Sequence, residues 1–247
     1  MQPKLFDNWS KYYLYYVLIL IFCGVFILYN KHDVGNDSSL SDWLINYSGG
    51  FVRRGLIGQI ALEFSYFFSI KLRDTIVIFQ IISFTAYYVL VFFLLRRVIT
   101  NRILILAVFS PIFILFPISE IEAFGRKETF IFLIITLYFF TNVRDIKTQL
   151  IFKLIIFPIS ILIWEPVIFF YPYIMLIDLV VFNSNKFDKK LIWLFLSYLV
   201  IFLVTIFIYL NPVSSESFNT MKNVLMSDFG ENCYMSCSFV GNQSQNS

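Results

Sequence analysis

The sequence predicts an all-α integral membrane protein with about seven transmembrane helices plus an interfacial or re-entrant helix. Three observations lead there: an excess of apolar residues, apolar stretches long enough to cross a bilayer, and basic clusters that recur between every second pair of them. Of 247 residues, 59% are hydrophobic and 14% charged, and the mean hydropathy is +0.77. A soluble domain carries about 25% charged and about 45–50% apolar residues. A chain this apolar lacks the polar groups to cover a surface in water and needs lipid as its solvent. The 31 Phe and 15 Tyr suit lipid-facing and interfacial helix surfaces. The net charge of +3 comes without any basic stretch interleaved with aromatics, so no nucleic-acid partner is expected.

A span needs about 20 apolar residues to cross roughly 30 Å of hydrocarbon. Residues 12–29, 75–95, 103–118, 123–141 and 191–210 approach this, as does a longer run over 154–182. The first run has no small-residue cleavage site after it and reads as a retained span, not a signal peptide. The long run contains Trp164-Glu165-Pro166. Proline lacks an N–H and disfavours helix in the residue before it, so two short helices are expected with Glu165 at the bend. A single kinked, tilted helix is the rival.

Lys and Arg in short connections mark the cytoplasmic side. Such residues recur at Arg96, Arg97 and Arg102, at Arg144, Lys147 and Lys153, and at Lys186, Lys189 and Lys190. With Lys4 and Lys11 they place the amino terminus in the cytoplasm, provided residues 55–70 do not cross. That segment holds Gln59 and Glu63 among apolar residues and reads as interfacial or re-entrant. Residues 1–210 then form a helical membrane domain with an outer loop over 30–74. Residues 211–247 form a polar outer tail, or the end of a shortened version of a longer protein. Cys23 reads as a small apolar residue of the first span. Cys233 and Cys237 could close a small outer loop as a disulfide or remain thiols. With His32 as the sole histidine, no zinc site can be assembled at usable spacing.

Two outer segments break the sidedness rule: Arg53-Arg54 and Arg126-Lys127, followed by Glu128. A cation near hydrocarbon costs about 2.5–3.5 kcal/mol at a helix centre and less near the interface, so something should compensate. One reading is an anionic ligand: guanidinium groups bind phosphate oxygens in a bidentate manner, and low dielectric strengthens the pair. Gly49, Gly50, Gly55 and Gly58 would let the backbone approach such a ligand. The competing reading pairs these cations with Glu120, Glu122 and Glu128, or lets them snorkel to headgroups. Among the outer carboxylates, Asp42 stands beside Trp43 and just before the glycine-arginine segment, and could act as a general base toward a hydroxyl. Glu165 is an ionisable group near membrane depth and a functional candidate on that ground. Asp178 reads as interfacial. No dedicated metal site is expected, although an acidic loop could hold a divalent cation.

The segment over 46–58, with its Tyr-x-Gly-Gly-Phe-Val-Arg-Arg-Gly-Leu-x-Gly pattern, resembles integral-membrane proteins of bacterial surface-polysaccharide gene clusters. The likeness extends more weakly to 125–128 and 164–166. The composition is similar to O-antigen polymerases and other multi-span glycosyltransferases, whose members usually have more spans. The resemblance implies an inner-membrane enzyme that takes a polyprenyl-diphosphate-linked saccharide on its outer face. It also implies an acidic residue in the first outer loop, a role Asp42 or Asp33 would match. In that case Gly49, Gly50, Arg53, Arg54, Arg126, Lys127 and Glu128 bind the donor, and Asp42, or else Glu165, acts as base. The alternatives are a flippase for lipid-linked sugars, or a non-catalytic or truncated member of the same pathway.

Overall fold

The first expected span forms as one long helix. In the computed structural model, which describes residues 3–32, 38–96, 102–110, 114–120, 124–141, 146–182, 189–234 and 237, α1 runs over Pro3–Lys31. Its apolar part, Trp9–Lys31, has 23 residues, roughly 34 Å at 1.5 Å per residue. One face buries Tyr13, Val17, Leu20 and Leu28, while Leu18, Phe22 and Phe26 stand exposed on another. Such an apolar stripe is tolerable only against lipid or another protein. The second long helix, α4 (Leu72–Leu95), packs between α1 and α7 (Lys127–Phe140). Between α1 and α4 lie the short α2 (Ser38–Trp43) and α3 (Leu56–Phe68). α3 falls on the segment expected over 55–70 to be interfacial or re-entrant, and at 13 residues it is too short to span.

All regular secondary structure among the described residues is helical, with no strand, as expected. Two helices among them, Trp9–Lys31 and Leu72–Leu95, are long and apolar enough to cross a membrane. A third is reached if the bent pair Phe195–Leu210 and Ser215–Phe229 is one broken span. Of the remaining apolar stretches, 123–141 gives the 14-residue α7, and the others are divided. Residues 103–118 give α5 (Arg102–Phe109) and α6 (Phe116–Ser119). After α8 (Ile146–Ile151) the chain widens into a π-helical turn, Phe152–Ile156. The reason is local: Pro158 has no N–H to give, and Phe157 N–H reaches back to the Phe152 carbonyl instead. α9 (Phe157–Ile163) then ends at the extended Trp164, and a 3₁₀ turn over Glu165–Phe170 leads into α10 (Tyr171–Phe182). The break falls at the expected Glu165-Pro166.

α11 (Lys189–Leu210) turns by 92° into α12 (Ser215–Phe229). The polar stretch expected from 211 onward thus opens with a helix. Ser214 caps α12 by accepting the Ser217 N–H, Gly230 closes it at φ +67°, and Met221 and Leu225 are fully buried. The sequence spacing of those apolar residues is helical, but the surrounding polar residues mask it. Cys233 and Cys237 are joined in a disulfide just beyond. Asp33, Asp37, Glu122, Arg97, Arg144 and Lys186 fall outside the described residues.

Glycines set the approach of the segment between α2 and α3 to its neighbours. A Cβ on Gly49 would lie 1.9 Å from the Ser217 carbonyl oxygen of α12, and one on Gly58 would lie 2.0 Å from the Ile45 carbonyl oxygen. Backbone, not ligand space, faces these two glycines. Gly58→Ala is therefore expected to destabilise the protein by about 1–3 kcal/mol, since main chain cannot move aside as a side chain can. Thermal unfolding in detergent would measure it, and an unchanged midpoint would refute the close crossing.

Candidate functional site

The loop after α2 is shaped by its own polar groups. Asn46 Oδ1 accepts from the Ser48 N–H (2.9 Å), and its Nδ2 donates to the Leu44 carbonyl (2.9 Å), an Asx-type turn. Gln59 of α3 accepts the Tyr47 N–H at 2.9 Å. The Gly50 N–H donates to the Tyr47 carbonyl at 2.9 Å, and Gly50 takes φ +114°. A second turn, closed by the Gly55 N–H on the Val52 carbonyl (3.1 Å), has Arg53 and Arg54 at its centre. Arg54 adopts φ +63°. That position favours glycine or asparagine, and a bulky residue there stores of order 1–3 kcal/mol of strain.

The strain has a visible consequence. The Arg54 carbonyl accepts from the Lys127 ammonium at 2.5 Å, while the Arg54 Nε reaches Glu165 Oε2 at 3.4 Å. The Arg53 Nε stands 3.8 Å from Glu165 Oε1. Lys127, at the start of α7, is fully buried. The preceding backbone is pinned: the Gly125 carbonyl accepts from Trp43 Nε1 and from Gln80 Nε2, both at 2.8 Å, and Gly125 takes φ +86°. The Lys31 ammonium donates to the Phe124 carbonyl at 3.2 Å. The indole that anchors α7 thus belongs to the residue after Asp42, which is itself 5% exposed.

The three segments singled out by sequence, 46–58, 125–128 and 164–166, meet in space. Arg53, Arg54 and Lys127 converge with Glu165, and Asp42 and Glu128 lie within electrostatic range of Lys127. Arg126 lies in electrostatic range of Glu128. Two expectations change. Arg53 and Arg54 pair with Glu165 across 111 or more positions of sequence; Glu120 is exposed, and Glu128 lies in electrostatic range of Arg54, Arg126 and Lys127. Gly49 faces α12, so its role here is packing. The Arg126 Nε, one Glu128 oxygen and one Glu165 oxygen are buried without a hydrogen-bond partner among the described residues. Buried polar atoms left in this state cost about 1–3 kcal/mol each, more when charged, so they mark a place where a further polar group fits. Among the described residues no group of three His, Cys, Asp or Glu side chains could hold a metal ion.

A second polar cluster is invisible in the sequence. Lys153, expected in a cytoplasmic connection, is fully buried, and Asp178, expected at the interface, is 3% exposed. They form an ion pair between the π-helical turn and α10. Asp178 also accepts from the hydroxyls of Tyr138 (2.6 Å) and Tyr198 (2.8 Å), so four helical segments share one carboxylate. Opposite charges 25 positions apart carry no periodic signal, which is why spacing could not reveal the pair.

No protein-family model, curated protein or solved structure matches the chain.

Proposed function

We propose that the chain is a multi-pass inner-membrane glycosyltransferase or polymerase, acting on polyprenyl-diphosphate-linked saccharides in surface-polysaccharide synthesis. The observation that carries this reading is the convergence of four cations and three carboxylates around buried, unpartnered polar atoms. Arg53, Arg54, Arg126 and Lys127 would neutralise the diphosphate as it leaves. Asp42 would take the proton of the acceptor hydroxyl. That oxygen bonds to the anomeric carbon, the bond from this carbon to the diphosphate oxygen breaks, and the lipid diphosphate departs. Glu165 is assigned a positioning role, because its carboxylate already holds both arginines. The seven-span arrangement with a cytoplasmic amino terminus belongs to the same proposal. The disulfide supports an outward-facing site: Cys237 N–H contacts Ser41 Oγ at 3.4 Å, beside Asp42, and disulfides persist in oxidising compartments.

Arg53→Ala/Arg54→Ala in the source strain is expected to reduce surface polysaccharide at least about 100-fold, the scale on which loss of an electrostatic stabiliser lowers turnover. Unchanged polysaccharide length and amount, at normal protein level, refutes the enzyme. Movement of labelled lipid-linked sugar across vesicles without glycosidic bond formation would assign a flippase instead.

A further inference from the structure

A cleft of about 570 Å³ opens between the end of α3, the start of α4 and the segment after α12. Pockets of roughly 300–1,000 Å³ suit small organic ligands. Two chain connections link the cleft to the cationic site. His32, on its wall, follows Lys31, whose ammonium holds the Phe124 carbonyl. Glu231, also on its wall, precedes the disulfide segment that meets Ser41.

Apart from Lys71, the charged groups of the cleft come as matched pairs. His32 Nε2 meets Asp74 Oδ1 at 2.5 Å, Arg73 binds Glu231 through Nε (2.9 Å) and Nη2 (2.7 Å), and the Tyr66 hydroxyl donates to Asp228 Oδ2 at 2.5 Å. The Asp228 bond raises the Tyr66 phenol to about 12, so it stays a protonated donor at neutral pH. Cations and carboxylates nearly balance, which leaves no field to select a phosphate or an amine. Alternating donors and acceptors instead suit a ligand whose every polar group is both. Tyr66 and Phe229, with ring centroids 4.9 Å apart, add an apolar wall against which the C–H face of a sugar ring can lie.

We infer that this cleft binds a neutral saccharide, the acceptor chain in the proposed transfer, through Tyr66, Asp228 and the Arg73–Glu231 pair. The inference rests on that reading for the word acceptor, but the binding itself can be measured alone. The probe is the neutral oligosaccharide repeat released from the source strain's surface polysaccharide and freed of phosphate, titrated calorimetrically into the purified chain in lipid nanodiscs. Asp228 is exposed and makes no core contact, so Asp228→Ala should fold; equal thermal midpoints check this. Tyr66→Leu is the second variant.

Binding about tenfold weaker in either variant, with Arg53→Ala/Arg54→Ala binding as the wild type, is the expected result. Wild-type protein that fails to bind the probe, or variants that bind it equally well, would overturn the inference. Competition by inorganic diphosphate would overturn it too, by revealing an anion site. If cleft variants lose binding while the double arginine variant still makes normal polysaccharide, the saccharide site stands and the transferase falls.

Discussion

Lys153→Ala is expected to destabilise the protein by about 3–5 kcal/mol, the scale on which breaking one side of a buried ion pair acts. The substitution leaves the Asp178 carboxylate buried among Tyr138, Tyr198 and the π-helical turn without its counter-charge. Two tyrosine hydroxyls cannot neutralise it. The wild-type pair is well satisfied: Lys153 also approaches Gln149 Oε1 at 3.5 Å and lies 5.2 Å from the centre of the Tyr198 ring. The expected test is unfolding in mixed detergent micelles, with Asp178→Asn and the double variant Lys153→Met/Asp178→Leu beside it. The double variant should recover most of the lost stability, since replacing both charges by apolar groups of similar volume removes the desolvation cost along with the attraction. Additive losses in the two single variants and the double variant would show that the charges act independently and would refute the pairing.

Arg54→Gly should separate function from stability. Glycine adopts φ +63° freely, so the substitution relieves about 1 kcal/mol or more of backbone strain. Against that stands the loss of a half-exposed guanidinium at 3.4 Å from Glu165, whose other arginine, Arg53, remains. An exposed or half-exposed ion pair contributes only about 0–1 kcal/mol, so the thermal midpoint should be unchanged or raised. Surface polysaccharide should nevertheless fall by about two orders of magnitude if the guanidinium stabilises a leaving diphosphate. A variant that is stabilised and fully active would show that Arg54 serves topology alone. One that unfolds would show that its charge is structural.

Much of this arrangement is readable from residue order. Apolar runs set the helical character, Trp164-Glu165-Pro166 sets the break after α9, and the stretch carrying Gln59 and Glu63 gives an α3 too short to span. Each depends on neighbours within one or two turns, where hydrogen-bond loss at proline and the periodicity of side chains act directly. The pairs of like charges at Arg53-Arg54 and Arg126-Lys127 are conspicuous for the same reason: they stand where short-range rules would exclude them.

What sequence could not supply was partnership at a distance. Glu165 neutralises Arg53 and Arg54, Lys153 finds Asp178, Gly49 meets α12, and a polar-looking tail buries Met221 and Leu225. The amino-acid order alone determined a helical chain suited to lipid, its break at Glu165-Pro166, and the cationic segments of the candidate site. Only the tertiary structure decided which carboxylate faces which cation and which glycine faces backbone. A charge buried in low dielectric is tolerable only beside its opposite, and that neighbour is chosen by packing, which spacing along the chain does not encode.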